Sequence, residues 1–233
     1  MLDYMRCMLE GKSLRACANE VGICLKTSFE WRHKILAAIR ALEGGISFSG
    51  IVEADELLMK YSEKGRKFKN KEEYRKAKRK KHPKVAVLVV TDREGNLLFK
   101  QVGEKKVKNE QLRDELKSRL SENNLICVKP KKEFRKGVKS LQSKKVIVNK
   151  RQIKRGIYSV KIVENKISDF KTWLSRFHGV ATKYLQSYLM WFVIMNKYLK
   201  ELIDSDIGRL LNLSSHDRWA WDKYREIVSQ RYD

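Results

Sequence analysis

Residues 50–59, GIVEADELLM, and residues 85–102, VAVLVVTDREGNLLFKQV, decide the fold between them. The first belongs to a strand candidate over Ile46–Glu56 that carries Glu53, Asp55 and Glu56 inside an apolar run. Side chains alternate along a strand, so Glu53 and Asp55 share one face and Glu56 takes the other. The second stretch holds a β-branched run, Val85–Thr91, a turn at Asp92–Asn96 and a returning strand, Leu97–Val102, which together read as a hairpin. The Asp92 carboxylate suits the turn itself.

Working outward, Asn109–Leu120 reads as a helix, Asn124–Val128 as a short buried strand and Lys145–Asn149 as a candidate fifth strand. From Glu164 onward the pattern is helical, with Trp173, Leu174, Phe177, Leu185, Leu189, Trp191 and Phe192 at core spacing. Strand, hairpin, helix, strand, then helices is the order of an α/β domain with a mixed sheet. Such sheets place ligands and chemistry at their strand ends.

Upstream of Gly44-Gly45, three helical pieces are expected: Leu2–Leu9, Ser13–Val21 and Thr27–Leu42. Ser13 suits an N-cap and Gly22 the left-handed turn position. The outline fits a helix-turn-helix whose last helix lies in a DNA groove, with Lys26, Arg32 and Lys34 as candidate DNA contacts. A plain helical hairpin packed on the rest of the chain fits the same pattern.

The acids of the first strand stand out because Lys and Arg number 52 against 28 Asp and Glu, a formal net charge of +24. That balance points to a polyanionic partner, nucleic acid first, and excludes no reaction by itself. Residues 60–81, KYSEKGRKFKNKEEYRKAKRKK, hold 12 basic and 3 acidic residues. They read either as a mobile solvated loop or as a phosphate-contacting arm, with Arg66, Lys67, Arg79 and Lys80 as candidate contacts and Tyr61, Phe68 and Tyr74 available to stack.

Cys7, Cys17, Cys24 and Cys127 form no CxxC pair, which fits a reducing cytoplasm. The most apolar stretch, Tyr188–Tyr198, is too short to span a bilayer and reads as a buried helix.

Three segments, GIVEADE, VAVLVVTDREGNLL and above all WLSRFHGVATKYLQSYLMWF (173–192), resemble the ISXO-like transposases of bacterial insertion sequences. Residues 12–36 resemble the helix-turn-helix that precedes the core in that family. The resemblance implies a ribonuclease-H-like core at residues 46–195 with a basic insertion at 60–81, an N-terminal helix-turn-helix module at 1–43 and a helical tail at 196–233. It implies DNA transposition: cutting transposon ends at their terminal inverted repeats and joining them to target DNA, by a homo-oligomer in the bacterial cytoplasm, associated with the nucleoid. Magnesium ions in a two-metal site would serve the in-line displacements at phosphorus.

The first catalytic acid and metal ligand of the resemblance falls on Asp55. The third falls on Glu164, with the accompanying lysine at Lys171, seven residues on and therefore two helical turns along the same face. The second position, after the strand NLICV, is Lys129, and a cation cannot ligate magnesium. Phe134 occupies a downstream aromatic position, and Ser159 stands where a histidine is expected. His178, within RFHGVATKYL, reads as a packing or hydrogen-bonding residue. The family's zinc ribbon is not restored by Cys7, Cys17 and Cys24, so no zinc site is expected and the chain reads as a truncated, degenerate member. Two functions stay open: a transposase that cuts and joins DNA, and a DNA-binding remnant without catalysis. A basic RNA-binding protein is a third class.

Overall fold

The structure, a computed structural model, describes residues 2–79, 84–141, 143–148, 154–155, 157–198, 222, 225–227 and 229. The expected contact Lys80, along with Trp219, Trp221 and most of the tail, lies outside the described residues.

Three helices open the chain: α1 (Leu2–Leu9), α2 (Leu14–Val21) and α3 (Leu25–Arg40), the last passing into a 3₁₀ turn at Ala41–Gly45. Ser13 caps α2 by accepting from the Ala16 amide at 3.2 Å, and Gly22 ends it at φ 69°. A five-stranded sheet follows, built from β1 (Ile51–Met59), β2 (Val85–Asp92), β3 (Leu97–Glu104), β4 (Leu125–Val128) and β5 (Lys144–Ile147). Its order is β3-β2-β1-β4-β5, with β2 antiparallel to both neighbours and β4 parallel to β1 and β5. This is the mixed sheet expected of the ribonuclease-H-like core.

Helix α4 (Lys71–Arg79) lies between β1 and β2, α5 (Asn109–Lys117) between β3 and β4, and α6 (Lys132–Lys139) between β4 and β5. A short ladder, β6 (Lys154–Arg155) with β7 (Tyr158–Ser159), leads into α7 (Lys161–Ser175) and α8 (Thr182–Tyr198). The two faces of β1 show how the layers form. Glu53 receives hydrogen bonds from the first turn of α7, whereas Glu56 receives one from Val107, at the entry to α5. Helices α5 and α6 therefore cover one face, α7 the other. Gly137 allows the α5–α6 approach, since a Cβ there would sit 2.9 Å from the Asn109 carbonyl oxygen.

The central strand starts at Ile51 rather than Ile46, because Gly50 at φ 57° breaks the extended run and Phe48 instead donates to the Arg119 carbonyl. Helix α7 begins three residues before Glu164, and a break at His178 (φ 52°) and Gly179 (φ 94°) separates it from α8. Within residues 60–79 the chain is not loop throughout: it carries α4, largely exposed, and Phe68 packs edge-on against Tyr74 with centroids 5.3 Å apart.

The hydrophobic core is continuous from α1 through the sheet to α8. Among the described residues no helix is long and apolar enough to cross a membrane.

Candidate functional site

Asp55 sits on the central strand with its side chain 5% exposed. Its Oδ1 accepts the Glu56 backbone N–H at 2.8 Å. Strand β4 runs parallel to β1 with Val128 opposite Ala54, so the next residue, Lys129, emerges level with Asp55. Glu164 comes from the first turn of α7. What sets that turn down over the strand is Glu53, whose Oε2 accepts the Ile162 and Val163 amides at 2.8 and 3.1 Å. The other oxygen, Oε1, accepts Ser159 Oγ at 2.8 Å and Arg93 Nη2 at 3.2 Å. A carboxylate at a helix N-terminus also meets the positive end of the helix dipole.

The three elements converge on one ammonium group. Lys129 Nζ lies 2.6 Å from Asp55 Oδ2 and 2.5 Å from Glu164 Oε1. Lys131, the residue before α6, adds a second: its Nζ is 2.9 Å from Asp55 Oδ1 and 2.9 Å from Glu56 Oε1. Burial by itself would raise the Asp55 pKa, but the hydrogen bonds from Lys129 and Lys131 outweigh it and hold the carboxyl below its ordinary range. For Lys129, burial disfavours the charge, yet the Asp55 and Glu164 hydrogen bonds win and raise its pKa. Asp55 and Lys129 therefore face each other as carboxylate and ammonium at neutral pH.

The model of the ISXO2-like transposase domain matches residues 47–194, a span that contains every member of this cluster and the whole sheet. The chain belongs to that family. A structure titled "Crystal structure of a pre-cleavage Mos1 transpososome" is a distant likeness, 10% identical, with 94% of this chain and 75% of that one covered and a TM-score of 0.38. Comparison with curated proteins gives no match.

Transposase families of this kind imply divalent metal, so the fit of magnesium to these residues is a chemical question. Magnesium takes hard oxygen ligands at about 2.0–2.1 Å in an octahedron. Here both Asp55 oxygens and Glu164 Oε1 accept hydrogen bonds from lysine ammonium groups. Two magnesium ions added to Lys129 and Lys131 would place twice as much positive as negative charge against Asp55, Glu56 and Glu164. The residues do not fit a two-metal site. They fit one another: the Lys129 ammonium fills the space between the two carboxylates.

Lys171 is exposed two turns further along α7 and makes no ion pair with this cluster. Asp92 accepts the Asn96 amide at 2.8 Å and the Ser49 amide at 3.0 Å, holding the hairpin turn. His178 exposes its side chain, and it is its carbonyl that accepts Lys64 Nζ at 2.8 Å, so the ring does not pack as expected.

The expected DNA contacts divide sharply. Arg32 faces inward, 0% exposed, because α3 lies against α8 rather than open to a groove. Its Nη2 donates to the Lys12 carbonyl at 2.8 Å, and its guanidinium lies 5.3 Å from the Trp191 ring centroid and 5.7 Å from that of Phe177. Arg32 therefore holds the helices together and is withdrawn as a DNA contact. Lys34 is half-buried, and Lys26, in the first turn of α3, is exposed. Arg66 pairs with Glu63 at 2.8 Å and Glu73 at 3.3 Å and covers the Phe68 ring at 5.1 Å. It braces its own loop, while Lys67 and Arg79 are exposed.

Sequence reasoning missed Lys131 and the capping role of Glu53. The first had a signal, since Lys129-Pro130-Lys131 puts two cations directly after a strand that runs beside Asp55. The second had none, because it depends on which backbone amides reach the strand.

Proposed function

We propose that this chain is a DNA-binding member of the transposase family that recognises the ends of its element without cutting or joining DNA. One observation carries the reading: Lys129 Nζ bridges Asp55 and Glu164 at 2.6 and 2.5 Å, where cleavage chemistry would need metal-bound oxygen. Loss of a catalytic group that acts within a unit costs several powers of ten in rate. The net charge of +24 and the exposed cations Lys26, Lys67 and Arg79 support a phosphate-backbone partner. The partner is DNA carrying the terminal inverted repeats that flank the reading frame, bound in the cytoplasm by a homo-oligomer that pairs two ends.

The test is a cleavage and strand-transfer assay on those repeats with magnesium or manganese, run beside a gel-shift measurement. The expected result is salt-sensitive binding with a preference for the repeats and no new 3′ hydroxyl. Cleavage by the wild-type chain that disappears in Asp55→Asn would overturn the reading and make this a working transposase. Equal binding to unrelated DNA and RNA would remove the sequence-specific part.

A further inference from the structure

Helix α6 has one face sunk in the fold and one face made only of cations. Phe134, Gly137 and Val138 are buried against α5 and the sheet. Lys132, Arg135, Lys136 and Lys139 are all exposed. Their spacing of three, one and three residues puts them along a single stripe of the helix. Strand β5, which follows α6 and forms the edge of the sheet, adds the exposed Lys144 and Lys145.

None of these six cations has an ion-pair partner among the described residues. The one acid of the helix, Glu133, is half-buried and pairs with Lys106 at 3.0 Å. What sets the patch apart is the alignment of its four helical cations along one exposed stripe, while several cations elsewhere are paired. Arg66 has Glu63 and Glu73, Lys100 has Glu43 and Glu115, and Lys12 has Glu10 and Glu20. Like charges at four-residue spacing, as in Lys132 with Lys136 and Arg135 with Lys139, destabilise a helix. A polyanion laid on the stripe removes that cost.

We propose that α6 and β5 form a second surface for the backbone of duplex DNA, at the opposite edge of the sheet from the N-terminal helices. This rests on the DNA-binding reading above. The eight residues of α6 span about 12 Å, and a DNA strand presents a phosphate every ~3.4 Å of its axis, so the stripe covers roughly three phosphates. The N-terminal module reaches the sheet through α8, which packs on β3, the other edge. Four strand spacings of about 4.8 Å put the two edges roughly 19 Å apart. The stripe on α6 and β5 therefore lies at a different edge of the sheet from the N-terminal module. An anionic membrane is the less suitable partner, because the exposed face of α6 offers no large apolar side chain to bury among lipid.

The experiment compares the full chain with the quadruple variant Lys132→Gln, Arg135→Gln, Lys136→Gln, Lys139→Gln, after far-UV circular dichroism and a thermal melt have shown it folded. Duplex binding is measured from 50 to 300 mM salt. Each phosphate contact contributes about 0.9 to the slope of log affinity against log salt, so the slope should fall by roughly 3. The loss should be the same on repeat and unrelated DNA, because backbone contacts carry no sequence. A wild-type chain that binds DNA and a folded variant with an unchanged slope would overturn this surface alone. A wild-type chain that binds no DNA would overturn the DNA-binding reading as well. Parallel arms with duplex RNA and phosphatidylserine vesicles decide the partner, and a variant defect confined to either would also overturn the proposal.

Discussion

Lys129 Nζ lies 2.6 Å from Asp55 Oδ2, and this contact joins the ends of two parallel neighbouring strands through an ion pair whose carboxylate is buried and whose lysine is 27% exposed. Removing one partner of a buried pair leaves the other charge uncompensated, typically at a cost of about 3–5 kcal/mol. Lys131 still reaches Asp55 at 2.9 Å, so Lys129→Met should cost less, about 2–3 kcal/mol. The sign of the pH dependence follows from the two shifts. Asp55 is depressed, so its contribution is complete above the ordinary carboxylate pKa and is lost as pH falls through the lower folded value. Lys129 is raised, so its contribution is complete below the ordinary lysine pKa and lost as pH rises through the higher folded value. Urea denaturation of the wild type and Lys129→Met should therefore show a constant difference between about pH 5 and 9 that shrinks at both extremes. A difference near zero at pH 7 would mean that the bridge adds no net stability.

The same bridge makes Lys129→Asp informative in the other direction. That substitution removes the ammonium between Asp55 and Glu164 and adds a third carboxylate at the end of β4. Three clustered carboxylates repel one another and attract a divalent cation. Manganese binding, followed by electron paramagnetic resonance of the free ion, should be undetectable at 1:1 for the wild type and clear for Lys129→Asp. Adding Asp55→Asn should abolish the gain. Wild-type binding lost in Asp55→Asn would show that metal displaces the lysine, contrary to the misfit argued from charge.

His33 supplies a pH dependence remote from the carboxylates. It packs at a tilt against Phe29 and Tyr184, with centroids at 4.3 and 4.0 Å, in the α3–α8 contact. Burial, then the charges of Arg32 and Lys183, push its pKa down to about 3. Its folded value is thus below the ordinary 6.5, so the unfolded chain binds the proton first and stability declines as pH falls from about 6.5 toward 3. The expected loss from this residue between pH 7 and pH 5 is about 2 kcal/mol. Equilibrium urea curves should show it in the wild type and not in His33→Phe. An equal slope in both proteins would assign the acid sensitivity elsewhere.

How far the sequence could be read follows from which signals are local. The strands and the hairpin were legible because β-branched runs and a DREGN turn need no partner to declare themselves. The parallel placement of β4 beside β1 was not legible, because a strand's sequence does not name its neighbour, whereas the family resemblance did put Lys129 in the second acid's position. Arg32 misled because an arginine on an amphipathic helix looks the same whether its face meets DNA or another helix; only the aromatic floor from Phe177 and Trp191 decides. Arg66 misled for the same reason, since it pairs with Glu63 and with Glu73 of α4 inside a segment whose overall charge is basic. Composition counts charges, and pairing removes some of them from the surface.

Glu53 is where stability and the site's geometry separate most cleanly. Its side chain is 1% exposed and accepts four hydrogen bonds, two of them from the amides that open α7. Hydrogen bonds to a buried charged group are worth about 1.5–3 kcal/mol each before the survivors readjust. Glu53→Gln keeps the shape but replaces one acceptor oxygen with an NH₂ that faces existing donors, so a loss of about 2–3 kcal/mol is expected. A purely structural role would stop there. If Glu53 also holds Glu164 over Lys129, loosening the first turn of α7 should withdraw one of the two carboxylates that raise the Lys129 pKa. Nuclear magnetic resonance titration of the lysine ε-carbons, at a temperature where the variant is fully folded, reads this directly. The Lys129 pKa should move down in Glu53→Gln, and in Glu164→Gln by a similar amount. A Glu53 variant that melts early but leaves the Lys129 titration where it was would show that Asp55 alone fixes the ammonium and that the α7 cap serves only the fold.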